Sequence, residues 1–290
     1  MTEIVLVASY MKSGNTWMRG ILQAMARPER RDIDINALDV VGRWSSDRNL
    51  FEQAHGVDPD MLSEPELAIL RPAVFRRIAE AASPPRLYLK SHEQNAAIGT
   101  GRLFPDDVPI LTLHVVRHPF DVAVSLSHHG RMDLDAAIAF MADDDAHEGG
   151  HRPAHVQRGF RSYSQLPQRM GSWSGHALSF LDHPPGRSLL VRYEDLLADP
   201  HTQLARVARF LDLDAAPDGI ARVVEATRFD RLSRQEDAAG FVERPDGMAR
   251  FFRAGRSGMG ASLLDGRQKD AVHRRHGAAM ERLGYKTGGE

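Results

Sequence analysis

The stretch Val5-Leu-Val-Ala-Ser-Tyr-Met-Lys-Ser-Gly-Asn-Thr-Trp-Met-Arg19 decides how this chain is read. It opens on a short apolar run of the kind that forms a strand buried on both faces of a parallel sheet. A turn of Lys12, Ser13, Gly14, Asn15 and Thr16 follows. Trp17, Met18, Ile21, Leu22 and Met25 then recur at helical spacing and predict an amphipathic helix over residues 16–26. A strand, a small-residue turn and a helix N-terminus make an anion site, because the N–H groups of the first turn lack intrahelical partners and face the ligand. Gly14 allows close backbone approach, Thr16 adds a hydroxyl, and Lys12 brings a full positive charge.

The turn is not a nucleotide-triphosphate P-loop. That motif, G-x-x-x-x-G-K-[ST], sets its lysine directly before the Ser/Thr that meets magnesium. Here Asn15 precedes Thr16, and Lys12 lies three residues upstream of Asn15. The arrangement suits a nucleotide with one 5′-phosphate carrying a group to be transferred better than it suits ATP hydrolysis.

Two further stretches carry chemistry. Leu87-Tyr-Leu-Lys-Ser-His92 ends a predicted strand, and strand alternation puts Lys90 and His92 on one side, at the C-terminal sheet edge where α/β ligands bind. A histidine there can serve as general base toward an acceptor hydroxyl. In Leu113-His-Val-Val-Arg-His-Pro-Phe-Asp-Val-Ala-Val-Ser125, a strand delivers Arg117, Pro119 opens a helix, and Ser125 falls two turns into it. The guanidinium offers a bidentate fork for a phosphate, and the Ser125 hydroxyl can meet the same group.

Composition narrows the class without naming it. The chain has 290 residues, 42% hydrophobic and 26% charged, which fits a globular protein with a buried core. A formal net charge of −2 gives no reason to expect nucleic acid or an anionic membrane as partner. With no cysteine there is no disulfide framework, thiolate nucleophile or thiolate metal site. No apolar run approaches the ~20 residues of a membrane span, and the N-terminus reads as a first strand, not a signal peptide, so the expected location is cytoplasmic.

Strand-like runs recur at residues 4–8, 86–89, 110–116 and 188–193, separated by helical patterns at 16–26, after Ser63, and at 119–129, 172–181, 202–211 and 268–283. This alternation predicts an α/β fold, a P-loop-like doubly wound parallel sheet flanked by helices in a single domain over 1–290, with its core at about 4–285. Ser63 and Glu66 read as a capping box, and Pro72 is expected to kink or divide the helix that follows. Residues 143–153 read as loop, and 235–266, with six glycines, as a functional lid. His147, His151 and His155 have metal-ligand spacing, but Gly149, Gly150 and Pro153 interrupt any helix there. Asp133, Asp135, Asp143, Asp144, Asp145 and Glu148 read as a solvated face. Trp44, Phe51, Phe140, Phe160 and Phe241 are candidate acceptor-pocket aromatics, with core packing the expected role for most.

Tyr10-Met-Lys-Ser-Gly-Asn-Thr-Trp17 resembles the Y-P-K-S-G-T-T-W loop of the cytosolic-type sulfotransferases, with Met11 for Pro and Asn15 for Thr. Lys90-Ser-His92 resembles the family's K-T-H segment, which carries the catalytic base. Arg117 to Ser125 resembles R-x-x-x-D-V-A-V-S, matching fully from Asp121, the segment that grips the 3′-phosphate of 3′-phosphoadenosine 5′-phosphosulfate (PAPS). Gly171-Ser-Trp173, Arg192-Tyr-Glu-Asp-Leu196 with Asp199-Pro200, and Thr227 with Phe229 resemble later family segments in the same order. Phe252-Arg-Ala-Gly-Arg-Ser-Gly258 resembles the R-K-G-x-x-G loop over the nucleotide phosphates, but Ala254 replaces its lysine and no tryptophan follows. Arg256 is a candidate for the missing charge.

The resemblance implies transfer of a sulfuryl group from PAPS to a hydroxyl or amine of a small-molecule acceptor, releasing adenosine 3′,5′-bisphosphate (PAP) without a metal. It implies His92 as base, with Lys12 and Lys90 assisting. Lys12, Ser13, Gly14, Asn15, Thr16 and Trp17 would hold the 5′-phosphate end, and Arg117 and Ser125 the 3′-phosphate. Trp17, Tyr193, Thr227 and Phe229 would hold the adenine, with Arg253, Ala254 and Gly255 closing over the phosphates. The compact start is similar to that of bacterial enzymes that tailor natural products, so a secondary metabolite or lipid hydroxyl is the acceptor by analogy. The family's K-x-x-x-T-V-x-x-x-E dimerisation motif is not present, leaving oligomeric state open. Two alternatives stand beside this reading: a P-loop kinase, and a nucleotide-binding interaction protein without catalysis.

Overall fold

The apolar runs become strands. Glu3–Ser9, Arg86–Ser91, Ile110–Val116 and Arg187–Arg192, with the short Arg43–Trp44, form a five-stranded sheet in a computed structural model that describes residues 1–81, 83–148, 165–245 and 247–286. The strand order is Arg43–Trp44, Arg86–Ser91, Glu3–Ser9, Ile110–Val116, Arg187–Arg192. Glu3–Ser9 runs parallel to Arg86–Ser91, with Ile4 opposite Leu87 and Ala8 opposite Ser91. Arg43–Trp44 runs parallel to the same strand, with Trp44 opposite Lys90. Helices separate these strands along the chain, which is the predicted α/β pattern with a central parallel sheet. No helix among the described residues is long and apolar enough to cross a membrane.

The chain divides into two compact units. The first comprises Met1–Tyr10, Arg43–His114 and Asp143–Ser188. Its core gathers Ile4, Leu6, Phe51, Phe75, Leu89, Phe104 and Phe180. The second comprises Met11–Gly42, Val115–Ala142 and Leu189–Glu290, and is mostly helical. Within it Pro119–Gly130 packs on Leu134–Ala142, Met259–Leu263 and Gly266–Arg282, burying Val122, Leu126, Met141, Val272 and Met280.

Three expectations change. The helix after Ser63 is one element, Glu64–Glu80, with Pro72 inside it. Its start is fixed by Glu66, which accepts from the Ser63 amide at 2.8 Å and the Ser63 hydroxyl at 2.6 Å. Arg71, Pro72, Val74, Phe75 and Ala79 are buried, so packing sustains the helix across the missing N–H. The proposed lid is partly helical: Phe229–Ala239 runs into its beginning, and Met259–Leu263 and the start of Gly266–Arg282 occupy its end. Glu236 explains part of this, since its buried carboxylate accepts from the amides of Phe251 at 2.7 Å and Phe252 at 2.8 Å. Of the stretch 143–153, residues 149–153 lie outside the described residues, and within the rest His147–Glu148 pairs with Gln168–Arg169 as an antiparallel ribbon.

Asp133, Asp135, Asp143, Asp144 and Asp145 are exposed, as expected of a solvated face, and several of them make local bonds. Asp135 pairs with Arg267 and Asp145 with Arg169, Asp133 accepts from the Ala136 amide, and Asp144 accepts from the Ser172 hydroxyl.

Candidate active site

The second unit holds the predicted phosphate turn. Lys12 adopts a left-handed backbone, φ 64°, and Gly14 caps the Asn15–Ala26 helix at φ 104° with no acidic residue in the first turn. Gly14 is required twice over. Its φ disfavours any side chain, and a Cβ there would lie 2.7 Å from the Tyr193 ring. Ser13 is fully buried, and its Oγ has no hydrogen-bond partner among the described residues. A buried hydroxyl left in this way beside a helix N-terminus fits an anion's oxygen.

Tyr193 lies under the turn and under Arg117. The Arg117 guanidinium sits 4.3 Å above its ring, and Trp17 meets its edge with centroids 5.4 Å apart. Tyr193, expected at the adenine, thus packs against the turn and the arginine. Trp17 Nε1 donates to the Thr227 carbonyl at 3.0 Å, which ties the start of the Phe229–Ala239 helix to the turn. The backbone of Gly255 lies against Phe229, so close that a Cβ would come within 2.1 Å of the ring.

Arg117 links the turn to the later loop. It donates to the Lys12 carbonyl at 3.3 Å and the Arg256 carbonyl at 3.0 Å, while its buried Nε has no partner among the described residues. Partial desolvation, then the neighbouring Arg117 and Arg256 charges, lower the pKa of Arg253. Arg253 thus lies within electrostatic reach of Arg117 and Arg256, and the Asp121 carboxylate is 3.8 Å from Arg117. Asp121 has another task. It accepts from the amides of Gly258 at 2.8 Å and Gly260 at 2.7 Å, fastening the glycine-rich segment to the helix that carries Ser125. Gly260 passes so close to Phe120 that a Cβ would lie 2.4 Å from its backbone carbon. Ser125 is half-buried on that helix, and Ala254 brings no charge.

Lys90 and His92 belong to the first unit. Lys90 is buried, with its ammonium 3.9 Å from the centre of the Trp44 ring. The same indole meets His92 edge-on, centroids 5.5 Å apart. His92 Nδ1 is 2.8 Å from the Ser9 carbonyl and 3.3 Å from its hydroxyl. A carbonyl only accepts, so Nδ1 carries the ring proton and the neutral tautomer leaves Nε2 as the basic nitrogen. Beneath these groups lies a buried ion pair. Arg71 donates to both carboxylate oxygens of Glu93, at 2.8 and 2.7 Å, and to the Ser45 carbonyl at 3.1 Å, while the Ser45 hydroxyl donates to Glu93 at 2.6 Å.

Sequence reasoning missed Asp121, Glu236 and Glu93 as organising carboxylates, and it gave Trp44 no partner. Asp121 sat in view within the D-V-A-V-S match; the other two carry no spacing signal. Of the acceptor-pocket aromatics, Phe51 and Phe241 are buried, Phe140 is half-buried, and Phe160 lies outside the described residues. His151 and His155 also lie outside them, and no group of three or more metal-ligating side chains occurs among the described residues. His114 and His176 are buried beside Phe180, and burial alone pushes His114 down to about 3.

The central parallel sheet flanked by helices makes this an α/β protein, and the Ser13–Gly14 turn and Arg117 lie in its second unit. Its family follows from comparison with known proteins. A family model described as "Sulfotransferase domain" matches residues 2–284, and the chain belongs to that family. Cytosolic sulfotransferase 10 of Arabidopsis thaliana is 26% identical over 219 residues, 73% of this chain but 56% of the relative. Cytosolic sulfotransferase 16 of the same plant is 24% identical over 275 residues, 89% of this chain and 70% of the relative. The chain therefore spans little more than half of the first relative's length. Among solved structures, retinol dehydratase in complex with androsterone and the inactive cofactor PAP has the same fold, with a TM-score of 0.56 at 19% identity over 96% of this chain and 80% of that one. Mouse sulfotransferase SULT7A1 complexed with PAP has a TM-score of 0.54 at 18% identity, over 96% of this chain and 85% of that one.

Proposed function

We propose that the chain transfers a sulfuryl group from PAPS to a hydroxyl or amine of a small-molecule acceptor. The observation that carries this reading is the pairing, within one unit, of the Ser13–Gly14 turn with Arg117, Arg253 and Arg256, joined by the hydrogen bond from Arg117 to the Lys12 carbonyl. A nucleotide with one 5′-phosphate and a separate 3′-phosphate matches two anion sites of this kind; a linear triphosphate does not. The buried Ser13 hydroxyl and the Nε of Arg117 are the groups that await those oxygens.

The donor supplies the sulfuryl group on a mixed anhydride with its 5′-phosphate. The first-turn N–H groups, Ser13 and Thr16 hold that phosphate, and Asn15 shares the turn. Arg117, Ser125 and Arg253 hold the 3′-phosphate, with the Ala254–Gly255 backbone closing over it. Trp17, Thr227 and Phe229 flank the base, and Tyr193 supports them. His92 takes the acceptor proton on Nε2 as the acceptor oxygen bonds to sulfur. Lys12 stabilises the electron pair left on the departing phosphate oxygen as the old sulfur–oxygen bond breaks. Lys90 offsets charge on the sulfuryl oxygens. Positioning and charge stabilisation of this kind are the main catalytic terms in the related phosphoryl transfers. The segment between helices Phe229–Ala239 and Gly266–Arg282 acts as a cover for the nucleotide within a single catalytic domain.

The test is transfer from sulfur-labelled PAPS to a panel of phenols, alcohols and amines in the presence of a chelator. Labelled acceptor, with PAP as co-product, is expected. PAP binding without transfer to any acceptor would favour the inactive binding protein, and magnesium-dependent transfer from ATP would favour the kinase.

A further inference from the structure

Lys12 does not stand alone in its turn. Its ammonium lies 3.1 Å from Nδ1 of His129 and 4.3 Å from the centre of the Phe251 ring. His129 meets the same phenyl ring edge-on, centroids 6.3 Å apart. All three belong to the second unit. His129 sits in the last turn of the Pro119–Gly130 helix, and Ser125 is one turn earlier on the same face. One helix therefore presents both Ser125 and His129, and Lys12 reaches the second of them.

We infer that His129 is a positioning residue that holds the Lys12 ammonium for leaving-group stabilisation; this rests on the sulfuryl-transfer reading above. An ammonium only donates, so Nδ1 must be the accepting nitrogen and the ring the neutral tautomer with its proton on Nε2. That tautomer is the reverse of the one His92 adopts. The choice of partner matters chemically. A carboxylate at this position would fix Lys12 but cancel its charge, whereas a neutral imidazole fixes it and leaves the full charge for the departing phosphate oxygen. The Phe251 ring adds a second attraction that likewise leaves the charge intact. His129 is thereby occupied through Lys12 and is not a second base.

The test compares His129→Phe, which removes the acceptor, with His129→Asn, whose side-chain carbonyl can replace Nδ1. For a misplacement of a catalytic charge, His129→Phe is expected to lower kcat about 10- to 100-fold. The KM for PAPS and the affinity for PAP should stay within about twofold, and His129→Asn should recover most of kcat. In a Lys12→Met background, His129→Phe should have no further effect. An unchanged kcat, an equal loss in both backgrounds, or a His129→Asn variant as slow as His129→Phe would overturn the inference. A second readout needs no turnover. Nitrogen-15 NMR of the nucleotide-free full chain should show His129 with its proton on Nε2, and Lys12→Met should disturb that preference. A proton on Nδ1 in the unmodified protein overturns the inference, whereas absent transfer with the expected tautomer overturns only the functional reading.

Discussion

Replacing His92 by alanine should lower kcat by about 10²- to 10⁴-fold, the usual contribution of a positioned general base, while PAP binding stays within a few-fold. The argument is local. Ser9 holds the proton of His92 on Nδ1, and Trp44 packs against the ring edge, so the imidazole is fixed in one tautomer with Nε2 as its basic nitrogen. His92 is not among the groups assigned to the nucleotide, so PAP binding is expected to survive its loss. Steady-state kinetics and calorimetric titration with PAP read the two effects separately. Loss of PAP binding together with turnover would remove His92 from the role of base.

The second large effect is on stability. Glu93→Ala should destabilise the protein by about 3–5 kcal/mol, because it leaves the Arg71 guanidinium buried without its counter-ion. The two side chains are only 6% and 3% exposed, and Glu93 also receives the Ser45 hydroxyl. Replacing both partners by apolar residues, Arg71→Met with Glu93→Leu, should restore most of that loss, since the pair's attraction roughly balances its desolvation. Urea unfolding of the three proteins measures this. A Glu93→Ala cost below about 1 kcal/mol would mean that Arg71 finds other partners. The pair bears on function through what it anchors. Glu93 follows His92, and Ser45 follows Trp44 and donates its amide to the Lys90 carbonyl at 2.8 Å, so one ion pair steadies all three.

Much of this molecule is legible in its sequence because the deciding contacts are local. The phosphate turn needs only a strand, Gly14 and the start of a helix, all within one short stretch. The strand runs were found because strands buried on both faces read as continuous apolar segments. What stayed hidden depends on distant partners. Nothing near His129 announces that Lys12 will reach it, nor does anything near Glu236 announce the amides of Phe251 and Phe252. Pro72 does not divide its helix, because the burial of its neighbours sustains the element on both sides of it. At the start of the glycine-rich segment, the helical spacing of Leu232, Ser233 and Glu236 gives the buried side of a helix that the glycines further on obscure.

The central claim is that the second unit recognises two separate phosphates on one nucleotide. Calorimetric titration of the full chain in chelator, with PAP against adenosine 5′-phosphate, tests it most directly. PAP should bind at least about tenfold more tightly, as charge-assisted hydrogen bonds to the added phosphate imply. Arg117→Ala should erase most of that difference while leaving adenosine 5′-phosphate little affected. Equal affinity for the two nucleotides in the unmodified protein would contradict the account.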